Sequence, residues 1–310
     1  MTFDDVRRLR VAVFGAGMGG LTCALSLAHE GFLYIDVYET APNLGFVGAG
    51  IQLAPNMARI LDKLGVWKKI ESEAVLVKST SIRQGTTDKE LGFVEFDSVK
   101  DKYGYAHMVG HRASLAGSLY EGCKAQSAIT FHFSTAVSEV NFGGDDRKPS
   151  FLATPLVGPA VRVEADIILA ADGIKSLTRA AMLKELGSTD HVVDSGQAAY
   201  RIMLTREQMK DDPELLELID ADRVTRWIGE KRLLINELAD VMGALTRTPT
   251  DSELSAILFS VQLKSGIQNR SLPFCDSRSI LSPQCCPQPH NLISLINRTN
   301  VSQLDLSVPE

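Results

Sequence analysis

The stretch Leu9-Arg-Val-Ala-Val-Phe-Gly-Ala-Gly-Met-Gly-Gly20 joins a short apolar run to a cluster of glycines. A β-branched run bounded by glycines is typical of a buried parallel strand. Apolar residues then recur at helical spacing over residues 21–28, and Gly31 supplies a stop. Residues 34–38 predict a second strand that ends next to Glu39. The order strand, glycine turn, helix and strand predicts a βαβ unit.

Gly15, Gly17 and Gly20 match the G-x-G-x-x-G spacing of dinucleotide-binding turns. The first glycine permits the tight turn, the second lets the backbone approach the pyrophosphate, and the third allows the helix to pack closely on the strand. Glu39 lies 24 residues after Gly15, where a carboxylate accepts hydrogen bonds from the ribose hydroxyls. These residues predict a dinucleotide site, but they do not separate FAD from NAD.

The composition narrows the class of protein. The chain has 310 residues, of which 45% are hydrophobic and 23% charged, as in ordinary globular proteins. A net charge of −6 gives no overall attraction to nucleic acid or anionic lipid, so neither partner is expected. No apolar stretch is long enough to span a membrane, and the N-terminus does not match a signal peptide. We therefore expect a cytoplasmic protein.

The five cysteines form an odd and scattered set, which is typical of reduced thiols. Adjacent cysteines flanked by prolines do not match the spacing of a zinc site, so no metal is expected at the following four residues: Cys275, Cys285, Cys286 and His290.

Two further motifs bear on the ligand. Gly48-Ala-Gly-Ile-Gln-Leu-Ala-Pro-Asn56 places small residues before a proline-started helix, which either admits a flat ligand or is a plain loop. Ala170-Ala-Asp172-Gly173-Ile-Lys-Ser-Leu-Thr-Arg179 follows a predicted strand, and on its own it reads as a turn capped by Asp or Ser before a helix.

Together with residues 11–39 and His111-Arg112-Ala-Ser-Leu115, these motifs resemble group A FAD-dependent aromatic monooxygenases. The most similar subset is the salicylate hydroxylase-like enzymes, including fungal phenol hydroxylases of secondary metabolism. The resemblance covers about residues 8–235. It implies a p-hydroxybenzoate hydroxylase-like α/β fold, in which a Rossmann-type FAD-binding domain stands beside a second, β-sheet substrate domain.

The resemblance also implies site residues. Ala49, Gly50 and Gln52 belong to the expected flavin-binding loop, and Arg112 matches an arginine that contacts the flavin nucleotide. Asp172 matches an aspartate that helps arrange flavin and pyridine nucleotide contacts. Arg201 lies where phenol-hydroxylating relatives carry an arginine at the boundary of flavin and substrate, although a surface arginine on a strand fits equally well. A lone histidine such as His111 is more often a structural residue than a cofactor ligand, so we favour a structural interpretation of His111.

We expect the FAD-binding domain at residues 8–75 and 105–185, and a partial substrate domain at 76–104 and 186–235. Residues 236–310 are rich in Pro, Ser and Cys and predict an atypical, disordered tail. The late Gly-Asp motif of the family is absent, so the fold is expected to be incomplete at the C-terminus, as in a truncated or frame-shifted product.

The resemblance implies that NAD(P)H reduces bound FAD and that O2 then hydroxylates a phenolic or aromatic-acid substrate. The missing Gly-Asp motif leaves a second hypothesis open, a non-catalytic remnant that at most binds nucleotide. A third, an NAD-dependent dehydrogenase, leaves the Gly48–Asn56 and Asp172-Gly173 motifs unexplained.

Overall fold

The structure is a computed structural model that describes residues 3–45, 50–144, 147–194, 197–204, 206–229, 232–240 and 255–264. For residues 197–204 and from 232 onward the backbone alone is described. The helices of these residues, in chain order, are α1 (Phe3–Arg7), α2 (Met18–His29), α3 (Pro55–Lys63), α4 (Trp67–Glu73), α5 (Val99–Tyr103), α6 (Arg112–Lys124), α7 (Leu177–Glu185), α8 (Arg206–Met209) and α9 (Pro213–Asp220).

The strands of the described residues are β1 (Arg10–Phe14), β2 (Tyr34–Tyr38), β3 (Gly50–Leu53), β4 (Val75–Leu76), β5 (Ser79–Gln84), β6 (Glu90–Glu95), β7 (Met108–His111), β8 (Ile129–His132), β9 (Thr135–Asn141), β10 (Ser150–Pro155), β11 (Val161–Glu164), β12 (Ile167–Ala170), β13 (Gln197–Leu204), β14 (Arg223–Gly229), β15 (Arg232–Asp240) and β16 (Ser255–Lys264).

The described residues divide into two compact units. The first unit takes residues from 1–48, 56–72 and 111–193, and the second takes them from 49–55, 73–110 and 194–310. The chain therefore passes repeatedly from one unit to the other. The second unit takes in residues 49–55, 73–75 and 105–110, and the first takes in 186–193. The domain bounds given by the sequence stay a prediction.

A parallel four-stranded sheet in the order β12-β1-β2-β8 forms the centre of the first unit. Val13 pairs with Val37 on one side and with Leu169 on the other. All four strands run in the same direction, so their carboxyl ends and the loops that follow lie at one edge. The sequence prediction of a Rossmann-type βαβ unit is confirmed here.

Successive side chains of β1 point to opposite faces of this sheet. On one face, Phe14 packs against Phe151 of β10 with ring centroids 4.7 Å apart, so the antiparallel sheet β11-β10-β9 covers this face. Helix α2 contacts β1 and β2 and also packs on α6, where the Cys123 thiol donates to the Leu21 carbonyl oxygen at 3.3 Å. Both Phe14 and Phe151 are at most 2% exposed.

The second unit contains a six-stranded mixed sheet in the order β13-β16-β15-β14-β5-β6 and a small sheet in the order β3-β7-β4. Val77, Val109 and Val224 form a buried cluster that includes residues of β7 and β14. Strand β16 lies between β13 and β15, and both pairings are antiparallel.

Strand β16 falls in the region that composition predicted to be a disordered tail, and here the structure differs from that expectation. Ile257, Phe259, Val261 and Leu263 alternate with other residues, which is the period of a strand. The prediction from the sequence gave more weight to the prolines and serines elsewhere in the region than to this local alternation. The remaining residues after 264 lie outside the described part of the chain.

Within the described residues, none of the helices combines the length and the apolarity that crossing a bilayer demands.

Candidate functional site

The glycine turn lies at the carboxyl edge of the parallel sheet. Gly15 has φ +92°, and its N–H donates to the Tyr38 carbonyl oxygen at 2.8 Å. A Cβ on Gly15 would lie 2.6 Å from the Ala171 carbonyl oxygen, and a Cβ on Gly20 would lie 1.9 Å from the Gly15 carbonyl oxygen. The first and third glycines are therefore required by the backbone itself.

Gly17 differs from these two glycines. Its φ of −69° is open to any residue, and a Cβ there would meet no atom within 4 Å. Gly17 is also the N-cap of α2, where the first amides have no partner within the helix. Open space over Gly17 beside amides without a helical partner is an arrangement that can accommodate an anion at a helix N-terminus.

Glu39 is tied to the glycine turn by its carboxylate. The Ala16 N–H donates to Oε2 at 2.8 Å, and the Ala41 N–H donates to Oε1 at 2.9 Å. A carboxylate has about four lone-pair sites, so about two remain for a ligand. The residue predicted to contact the ribose therefore also holds the turn in place.

The Asp172 loop lies beside the same turn, because β12 pairs with β1. The Ala171 N–H donates to the Phe14 carbonyl oxygen at 2.9 Å. Asp172 Oδ2 accepts from the Thr178 N–H at 3.1 Å. Burial raises the pKa of Asp172, but hydrogen bonds from Ser176 and Thr178 outweigh burial and hold the pKa below its usual value. Asp172 is therefore ionised at neutral pH.

Arg179 fixes the shape of this loop. Its guanidinium donates to the carbonyl oxygen of Ile174 at 2.7 Å and to that of Gly173 at 3.4 Å, and it pairs with Asp190 at 3.1 Å. The Arg179 N–H also donates to Oγ of Ser176, the N-cap of α7, at 2.9 Å. The sequence motif includes Arg179, but no role was predicted for this residue. Only its spacing from Asp172 could have indicated a role in shaping the loop.

Arg112 is the first residue of α6, and its side chain is exposed. It forms no ion pair with any residue that the structure describes. The preceding His111 is the N-cap: its Nδ1 accepts from the Ala113 N–H at 3.2 Å, and burial lowers the pKa of the imidazole. His111 thus has the structural function that the sequence favoured for it.

The first unit brings together Gly15, Gly17, Gly20, Glu39 and Asp172, which come from three loops at one edge of the sheet.

Arg112 belongs to the first unit as well, whereas Gly50, Gln52 and Arg201 belong to the second unit. Gly50 and Gln52 lie in β3, and Arg201 lies in β13, where its backbone pairs with Ser260. Ala49 lies outside the described residues, as do the cysteines and the histidine of the tail that bear on a metal site.

Comparison with known proteins supports the nucleotide site. A family model described as "FAD binding domain" matches residues 8–278. The FAD-dependent monooxygenase OpS4 of Beauveria bassiana is 30% identical over 223 residues, which make up 71% of this chain and 50% of that protein. The 3-hydroxybenzoate 6-hydroxylase 1 of Aquipseudomonas alcaligenes is 34% identical over 222 residues, or 71% of this chain and 52% of that protein. The chain thus spans about half the length of the curated relatives it matches.

Solved structures show the same fold. CtdE in complex with FAD and substrate 4 has a TM-score of 0.68 at 18% identity, covering 93% of this chain and 63% of that one. Klebsiella pneumoniae HpxO complexed with FAD and uric acid has a TM-score of 0.66 at 18% identity, covering 93% of this chain and 64% of that one. At such identities the likeness concerns the fold alone.

Proposed function

The chain belongs to the FAD binding domain family, and from that premise we propose that it hydroxylates a phenolic or aromatic-acid substrate with FAD, NAD(P)H and O2. The observation that carries this proposal is the open glycine turn within a match of residues 8–278. The monooxygenase OpS4 and the hydroxybenzoate hydroxylase support the reaction class.

The glycine turn fits the diphosphate of FAD. The amides at the start of α2 would donate to the phosphate oxygens, and the positive end of the helix dipole would favour their charge. Gly17 leaves the space that a side chain would fill. The lone pairs of Glu39 that the turn does not use accept from the ribose hydroxyls.

Three further groups would hold the rest of the cofactor. The ionised carboxylate of Asp172 accepts hydrogen bonds from hydroxyl or amide groups of the flavin and pyridine nucleotides. The exposed guanidinium of Arg112 offers paired donors to phosphate or carbonyl oxygens. Ala49, Gly50 and Gln52 are the residues that we assign to the flavin ring.

When bound, the flavin would supply the redox chemistry by which NAD(P)H, a proton and O2 convert the substrate to its hydroxylated product, NAD(P)⁺ and water. The protein binds and orients the substrate and excludes water. Arg201 is the residue that we assign to the substrate, because a cation there stabilises a phenolate or a developing negative charge.

Flavin binding and substrate-stimulated NAD(P)H oxidation test the proposal. The full chain is reconstituted with FAD, freed of excess by gel filtration and assayed with salicylate and with 3-hydroxybenzoate. We expect a yellow protein whose NAD(P)H oxidation rises with one of these phenolic acids. A colourless protein would overturn the FAD site, and a yellow protein without oxidation would favour the nucleotide-binding remnant.

The assignment of Arg201 has its own test. Arg201→Met is expected to retain FAD and to lower the substrate-stimulated rate by at least about tenfold, or about 1.4 kcal/mol of transition-state stabilisation. Arg162→Met removes an exposed arginine of the first unit and serves as the control. An unchanged rate in Arg201→Met would show that this arginine does not act on the substrate.

A further inference from the structure

A second cleft lies in the first unit, on the face of the parallel sheet that packs against β10. It has a volume of about 210 Å³ and opens among β1, β2, β8 and the residues around β11. Arg10, the first residue of β1, lines it. Strands rise about 3.3 Å per residue, so Arg10 lies roughly 16 Å along the chain from Gly15. Tyr38 and His132 also line the cleft, at the carboxyl ends of β2 and β8, and the Tyr38 carbonyl oxygen accepts the Gly15 N–H. The cleft therefore extends from the start of β1 toward its carboxyl end.

One wall of the cleft is a rigid polar pair. His132 Nε2 lies 2.7 Å from Asp36 Oδ1, and the Tyr38 ring stacks on the imidazole with centroids 4.5 Å apart and planes within 10°. Because a carboxylate only accepts hydrogen bonds, the His132 Nε2–H donates to Asp36 Oδ1. Stacking on the buried Tyr38 fixes the orientation of the imidazole and therefore that of the Asp36 carboxylate.

The cleft carries charges of both signs that do not neutralise each other. Among the residues that the structure describes, Arg10 forms no ion pair with Asp36 or with Glu164, which also line the cleft. The nearby Asp166 is neutralised by Lys148, whose Nζ lies 2.6 Å from Oδ1, and it accepts the Arg10 backbone N–H at 2.8 Å. The Arg10 guanidinium, the Glu164 carboxylate and the Asp36 oxygen that does not contact His132 therefore remain available to a ligand.

The rest of the lining is apolar and small, including Val11, Ala12, Val163 and Ala165. The volume lies below the roughly 300–1,000 Å³ of drug-sized sites and equals the share of about seven water molecules in the liquid. A ligand that satisfies this cleft is small, carries both a negative and a positive group, and has a short aliphatic side chain.

We propose that this cleft binds a free α-amino acid with a short aliphatic side chain. The Arg10 guanidinium holds the carboxylate of the ligand through paired hydrogen bonds. The carboxylates of Asp36 and Glu164 hold its ammonium group, and the apolar lining packs on the side chain. The carbonyl oxygens of Tyr38 and His132 accept the N–H groups of Gly15 and Glu39, so the cleft adjoins the nucleotide turn, but the proposal does not rest on the proposed hydroxylation.

Isothermal titration of the full chain with L-valine tests the proposal. Two matched probes each lack one charge: isovalerate has no ammonium group, and isobutylamine has no carboxylate. We expect saturable binding of L-valine and affinities for both analogues that are lower by at least about tenfold. Absence of saturable heat with L-valine, or equal affinity for an analogue, would overturn the proposal.

Variants locate the binding in the cleft. Arg10→Met and Glu164→Gln, both at exposed positions, are each expected to weaken L-valine by at least about tenfold, whereas the exposed Arg8→Met leaves it unchanged. Circular dichroism of each variant checks that the fold is retained. If either cleft variant binds L-valine as tightly as the unaltered chain, the ligand sits elsewhere and the proposal is wrong.

Discussion

At the scale of single residues, the three glycines of the turn have different functions, and substitution separates them. Gly20→Ala brings a Cβ to 1.9 Å from a backbone oxygen, so we expect the free energy of unfolding to fall by about 3 kcal/mol or more. Gly17→Ala meets no atom, and its free energy of unfolding is expected to change by less than about 1 kcal/mol.

The same pair separates folding from binding. Gly17→Ala is expected to raise the dissociation constant of FAD by at least about tenfold, because the methyl group occupies the space of the pyrophosphate. Urea unfolding and fluorescence titration of FAD measure the two effects. Normal FAD affinity in a folded Gly17→Ala protein would show that the diphosphate does not approach this residue.

Glu39 joins structure and binding in one carboxylate. Glu39→Gln keeps a single acceptor oxygen for two backbone amides, so we expect the free energy of unfolding to fall by about 1–3 kcal/mol. Glu30→Gln, at an exposed position on the same unit, is the matched control in urea unfolding. Equal stability of Glu39→Gln and the unaltered chain would show that the turn does not depend on this carboxylate.

At the scale of elements, the start of α6 depends on a titratable cap. Burial lowers the pKa of His111, so the folded state binds its proton less readily than the unfolded state does. The contribution of neutral His111 to the free energy of unfolding is fully present above the unfolded pKa of about 6.5, and it is lost as the pH falls through the folded pKa. Protonation of Nδ1 also removes the acceptor for the Ala113 N–H.

His111→Asn keeps an N-cap acceptor but does not titrate. We expect it to match the unaltered chain within about 1 kcal/mol at pH 8, and to lose less stability than that chain between pH 7 and pH 5. His111→Ala is expected to lose about 1 kcal/mol at pH 8. Urea unfolding across this pH range measures both, and parallel pH profiles for His111→Asn and the unaltered chain would contradict the titrating cap.

How far the sequence predicts an element depends on how local its signal is. The bounds of strands β1 and β2 were predicted to within a residue or two, and helix α2 between them was also predicted. Each of these elements is marked by its own apolar period and by adjacent glycines. The pairing of β10 with β9 and β11 was not predicted, since it depends on contacts between strands whose order no local pattern records. Strand β16 was not predicted, because the prolines and serines around it indicated a disordered segment.

At the scale of the whole molecule, the Rossmann-type sheet, the family and FAD as the cofactor were predicted from the sequence and are confirmed. Four short motifs in a fixed order carried that information. The assignments of Arg112 and Arg201 stay predictions, because a binding role depends on the ligand and not on the strand or helix that carries the side chain. The hydrogen bonds of Glu39 and Arg179 to their loops could not be predicted from the sequence, because they depend on the three-dimensional positions of the backbone groups.

The second unit depends on a strand that comes late in the chain. Strand β16 is the only link between β13 and β15 among the described strands of the six-stranded sheet, and Val261 pairs with Tyr200 on one side and Leu234 on the other.

Proline at position 261 removes a backbone donor from a central strand at a cost of about 3 kcal/mol or more, whereas Val261→Thr keeps both the donor and the β-branched shape. Amide hydrogen exchange is expected to show lost protection in β13 and β15 for Val261→Pro, with little change for Val261→Thr and no change at Val13 or Leu25 of the first unit. Retained protection in β13 and β15 of Val261→Pro would mean that these strands do not depend on β16 for their order.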